Sequence, residues 1–160
     1  MDLLFHFLLA VFRDISRART NATREIVARL ETIRAHKRVL NAAVAAGDRR
    51  QEIETLMKLG DACAAPGEMD NSIRFYQQAL YLAADYGAQD LQMMALADLG
   101  AAYQVMLDFP QAFSYYKEGL EIARKAGDSP SEQTISRKIE TLYYTMQADE
   151  LSRNFDTGEN

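Results

Sequence analysis

Apolar residues along the chain recur at three- and four-residue steps, the spacing of a helix face at 100° per residue. Ile15, Ile26, Leu30, Ile33, Leu40 and Val44 fall near one side of such a wheel, and Arg13, Arg17, Arg24, Arg34 and Arg38 cluster on another. The spacing predicts a long helix to Ala46, with a break allowed near residues 20–23. Four further helices are expected at about 49–64, 69–85, 89–106 and 110–126, and a last one at 129–151. Their ends are marked by chemistry: Pro66-Gly67 breaks one helix, and Gly87 and Gly127 stand where a left-handed cap favours glycine. Asp108 is a candidate N-cap, with Pro110 in the first turn where its missing N–H costs little. Ser129-Pro130-Ser131-Glu132 reads as a capping box. No run alternates apolar and polar residues as a strand would.

The pattern repeats itself. Gly47, Gly87 and Gly127 stand forty residues apart, as do Leu40, Leu80 and Leu120. Leu56 and Leu96, Leu59-Gly60 and Leu99-Gly100, and Tyr76 and Tyr116 keep the same interval. A fixed period of this size means stacked helical hairpins, each unit burying its face against the next. Glycine inside a helix costs about 1 kcal/mol against alanine. Its return at matching places therefore predicts that the second helix of each unit crosses the first there at close range.

These residues carry a resemblance to the tetratricopeptide repeat. The first unit reads Leu56, Leu59, Gly60, Cys63, Ser72, Tyr76, Ala79, and the second Leu96, Leu99, Gly100, Tyr103, Ala112, Tyr116, Gly119. Cys63 replaces the expected aromatic residue and Gly119 the second alanine. The forty-residue period, with Gly-Asp joints at Gly47-Asp48 and Gly127-Asp128, is similar to the longer-helix variety found in kinesin light chains and in several signalling and polarity scaffolds. The fold expected is an all-α, antiparallel helix-hairpin solenoid of two full repeats, a degenerate half-repeat before them and a capping helix after. The domains expected are an apolar segment 1–14, a basic amphipathic helix 15–46, the repeat domain 47–151 and a polar tail 152–160.

Composition narrows the chemistry. The net charge of −5 is uneven: residues 1–50 carry ten Lys/Arg and five Asp/Glu, for +5, and residues 51–160 carry eight and eighteen, for −10. The acidic body argues against nucleic acid. One cysteine, Cys63, allows no internal disulfide or cysteine zinc site. The two histidines, His6 and His36, are not at metal-ligand spacing, no phosphate-binding glycine loop is present, and neither an enzymatic role nor a cofactor is expected. Residues 3–12 are apolar apart from His6, but ten helical residues rise only about 15 Å, half a bilayer core. A cytoplasmic location is expected, with a peripheral membrane position left open.

The resemblance implies a protein–protein interaction module with a concave groove lined by the first helix of each unit. That places Glu54, Met57, Lys58, Asp61, Met94, Ala97, Asp98, Ala101 and Gln104, with Arg137, Thr141 and Tyr144 of the last helix, against a helical or extended partner segment. The Lys/Asn clamp by which chaperone-tail-binding members hold a carboxylate is replaced by Met57 and Asp61, then by Ala97 and Ala101. Met57, Met93, Met94 and Met106 beside Asp61 and Asp98 suit an amphipathic helix with basic flanks. For the amino-terminal arm three readings stand: capping the array, self-association through Leu4, Phe5, Leu8, Leu9 and Phe12, or adsorption to an anionic membrane with Arg13, Arg17 and Arg24 on the headgroups. A homo-oligomeric scaffold, a membrane-associated adaptor and a small secretion-type chaperone are the alternatives to a plain groove binder.

Overall fold

The structure is a computed structural model; it describes the backbone of residues 2–65 and 69–157 and the side chains of 17–65 and 69–151. Six helices follow one another: α1 (Asp2–Ala46), α2 (Arg49–Cys63), α3 (Met69–Tyr86), α4 (Gln89–Val105), α5 (Phe109–Ala126) and α6 (Ser129–Thr157). Each packs on its neighbours in the chain, α2 also touches α4, and α4 touches α6. The result is an all-α, tetratricopeptide-type solenoid, with α2–α3 and α4–α5 as its two full hairpins. The first helices of successive hairpins form one layer and the second helices the other.

The joints are built alike. Gly47, Gly87 and Gly127 take φ of 69°, 75° and 67°. The residue after each donates its N–H to a carbonyl five residues back: Asp48 to Ala43, Ala88 to Ala83, Asp128 to Ala123, at 3.0, 3.0 and 2.9 Å. This is the Schellman closure, which satisfies carbonyls that a helix end would otherwise leave orphaned. Ala43, Ala83 and Ala123 are fully buried. The end of α4 has the same closure, Asp108 N–H to Tyr103 O at 2.9 Å, but there the left-handed residue is Leu107, φ 60°.

Glycine and tyrosine lock each hairpin. A Cβ added at Gly60 would overlap the ring of Tyr76, and one at Gly100 would overlap the ring of Tyr116. Both rings are buried. Around them, Ile53, Leu56, Leu91 and Leu99 join one core with Tyr76, and Phe109, Ile135 and Leu142 join a second with Tyr116.

Three local readings change. The helix expected to allow a break near residues 20–23 runs unbroken for 45 residues. Thr23 and Thr32 fold their hydroxyls back onto carbonyls four residues earlier, at 2.9 Å each, so neither competes with the helix ladder. The last helix is 29 residues long and continues past 151 to Thr157. Its N-cap is Asp128 rather than Ser129: the Asp128 carboxylate accepts from the Ser131 N–H at 3.1 Å and the Ser131 hydroxyl at 2.7 Å. Those bonds hold the Asp128 carboxyl below the usual carboxylate range.

Candidate partner-binding groove

Clefts among the described residues lie along the first-helix layer, α2, α4 and α6. One, about 500 Å³, lies between α4 and α6, with Ala101, Gln104, Val105, Arg137, Lys138 and Thr141 among its lining. A second, about 220 Å³, lies between α2 and α4 over Asp61, Ala64, Tyr76, Asp98, Ala101 and Val105. Ala101 and Val105 line both, so the two clefts flank the same stretch of α4. A third, about 190 Å³, sits beside Met94, Ala97, Thr134 and Ile135.

The interlocking tyrosines form the floor. The Tyr76 hydroxyl donates to Asp61 Oδ1 at 2.7 Å. Burial, then this bond to a carboxylate, raises the Tyr76 pKa. The Tyr116 hydroxyl donates to Gln104 Oε1 at 3.3 Å, and Gln104 Nε2 donates to Thr145 Oγ1 at 3.1 Å, tying α5, α4 and α6 together. Burial, then the nearby charge of Asp98, pushes the Tyr116 phenol up to about 12. Asp98 itself is pushed up to about 6, first by burial and then by the like charge of Asp61, with Lys138 pulling the other way. The α2–α4 end of the groove is thus acidic, the α4–α6 end carries Arg137 and Lys138, and small apolar side chains lie between.

Most residues expected at the groove lie on this layer. Asp61, Asp98, Ala101, Gln104, Arg137 and Thr141 line the first two clefts, and Met94 and Ala97 line the third. Glu54 and Lys58 share the outer stripe of α2 but line none of these clefts, and Glu54 is held by Arg50 at 3.1 Å. Tyr144 is 73% exposed and stands clear of them. Met57 is corrected: it is 5% exposed, in the same core as Leu91 and Ala95 of α4, and Met93 is equally buried. The stripe α2 shows to solvent is narrow because α1, α3 and α4 all pack against that helix. Val105, Leu107 and Thr145 are lining residues that the repeat pattern does not single out. Val105 and Leu107 are 66% and 52% exposed, and the signal for them is the apolar run Val105-Met106-Leu107 at a helix end.

Of the arm residues, Leu4, Phe5, Leu8, Leu9, Phe12 and Arg13 have side chains outside the described residues, while Arg17 and Arg24 are exposed. No described helix is long and apolar enough to cross a membrane. Among the described residues no group of three or more His, Cys, Asp or Glu could hold a metal ion.

The family model for the tetratricopeptide repeat matches residues 51–125. Among matching solved structures is the crystal structure of BtubC (BKLC) from P. vanneervenii, 17% identical, with a TM-score of 0.53. The alignment covers 77% of this chain and 66% of that one, and at this identity it speaks to fold alone. No curated protein matches the chain.

Proposed function

Since residues 51–125 belong to the tetratricopeptide-repeat family of protein-interaction modules, we propose that the groove across α2, α4 and α6 holds a helical or extended segment of a partner protein. The observation that carries this reading is that the α2–α4 and α4–α6 clefts lie side by side on one layer and share Ala101 and Val105 as walls. A groove with acidic groups at one end, basic groups at the other and an apolar middle suits an amphipathic segment whose own charges run the opposite way. Its basic residues would meet Asp61 and Asp98, its acidic residues Arg137 and Lys138, and its apolar side chains Val105 and Leu107.

A photoreactive residue at Ala101 tests this against one at Tyr81, which is 71% exposed on the second-helix layer. The expected result is a discrete adduct from position 101 that is lost with Asp98→Lys, and none from position 81. Equal labelling from both positions, or labelling from 81 alone, overturns the groove reading.

A further inference from the structure

The face of α1 that packs is a strict heptad seam that outruns its partner. Among residues 17–46 the only positions that are buried or half-buried are Arg29, Ile33, His36, Leu40 and Ala43, at steps of four, three, four and three. That 3.5-residue spacing is what one helix uses to lie along another. Among the described residues α2 is the only helix touching α1. Yet α2 has 15 residues to the 45 of α1, about 22 Å against about 67 Å.

Upstream of Arg29 the same steps continue through Ile26, Ala22, Arg19, Ile15, Phe12, Leu8 and Phe5. Ile26, Val27 and Leu30 are 53%, 48% and 46% exposed. Among the described residues no other helix covers positions 17–28, and a seam that the sequence continues beyond them asks for a second helix of matching period.

We propose that residues 2–28 of α1 pair with the same residues of a second copy of this chain, in antiparallel orientation. The seam continues directly from the docked α1–α2 interface, so the pairing extends a contact already made. Charge sets the orientation. In a parallel pair Arg19 would face Arg19, and two bodies of net −10 each would lie at the same end. Antiparallel pairing removes both repulsions, because it sets each core position against a different residue and sends the bodies to opposite ends. Arg17, Arg24 and Arg38, spaced by seven and fourteen, fall opposite the seam and are exposed, so they stay in water.

The test is solution mass by light scattering on the full chain, with small-angle scattering for arrangement. The intact protein is expected at twice 18.0 kDa, with a two-lobed distance distribution whose lobes lie on the order of 60 Å apart, given 1.5 Å of rise per residue. Ile26→Glu and Ala22→Glu should halve the mass and leave thermal unfolding of the repeat body unchanged, since both residues are exposed. Arg24→Glu, opposite the seam, should remain dimeric. A monomeric intact chain overturns the proposal, and one that also sediments with anionic phosphatidylserine vesicles assigns the arm to lipid instead. A dimer indifferent to Ile26→Glu, or one whose bodies lie side by side, overturns it as well.

Discussion

A side chain's surroundings decide its role here more than its type does. Gly60 and Gly100 face buried tyrosine rings, so Gly→Ala at either should cost about 1–3 kcal/mol through overpacking, outweighing the roughly 1 kcal/mol of helix propensity gained. Gly119 is the control: its added Cβ would come no closer than 3.3 Å, to the far methyl of Ile135, so Gly119→Ala should be neutral or mildly stabilising in urea unfolding. The forty-residue interval makes this legible in the sequence, because a helix-interior glycine that recurs in step with a tyrosine marks a close crossing of two helices. Ser72 is not legible in the same way. It is fully buried, and its hydroxyl donates to the Gly60 carbonyl at 2.7 Å. That carbonyl is left over because α2 ends three residues later at Cys63, whereas α4 runs five residues past Gly100, where the equivalent of Ser72 is Ala112. Ser72→Ala should therefore cost about 1 kcal/mol. Asp98 sets the pH response. Its folded pKa of about 6 lies above the ordinary 3.8, so stability is greatest while it is protonated and falls as pH rises through 6. Asp98→Asn should match the wild type near pH 3.5 and exceed it at pH 7, by at most about 2–3 kcal/mol. A basic partner segment should show the reverse trend, binding more weakly as pH falls below 6.

At the scale of the element, helix ends are legible where one residue type fixes them and less so where two compete. Asp48 and Asp108 cap α2 and α5, accepting from Gln51 N–H at 3.0 Å and Gln111 N–H at 3.2 Å. Losing either cap by substitution with alanine should cost about 1 kcal/mol, read as a shift in the urea midpoint at constant slope. The joint at Gly87-Ala88 keeps the glycine but has no capping side chain. Ala88 is 8% exposed and packs in the core with Leu91, so a carboxylate there would trade apolar contact for the cap. At Ser129-Pro130-Ser131-Glu132 the capping-box pattern marks a true helix start but stands one residue out of register, because Asp128 reaches Ser131 first. Leu107 is the element-level exception, a non-glycine residue in the left-handed slot that glycine fills at the three joints between units. It costs of order 1 kcal/mol and places an apolar side chain in the α4–α6 cleft. Leu107→Asn, which suits that backbone, should lower partner affinity with no loss of stability. Equal losses of both would mean that Leu107 only packs.

For the whole molecule, the period specifies the solenoid, and what it does not specify is how far each helix of the array is covered. Met57 shows the inward side of that limit. Its spacing puts it on the outer stripe of α2, but the arrival of α4 buries it, and no property of α2 alone announces a neighbour thirty residues downstream. The arm shows the outward side. Its basic character suits headgroups, whereas the heptad steps that α2 uses and then leaves uncovered point to another helix. Repeat arrays hold together by nearest-neighbour contacts, so opening should begin where a helix has fewest neighbours. Among the described residues, no other helix packs on 17–28, while α3, α4 and α5 are packed from both sides. Hydrogen exchange measured over a dilution series separates the two situations. Protection of 17–28 should rise with protein concentration as arms pair, while α3 to α5 exchange at rates independent of it. Concentration-independent protection at 17–28 would instead mean that the arm finds its cover within its own chain.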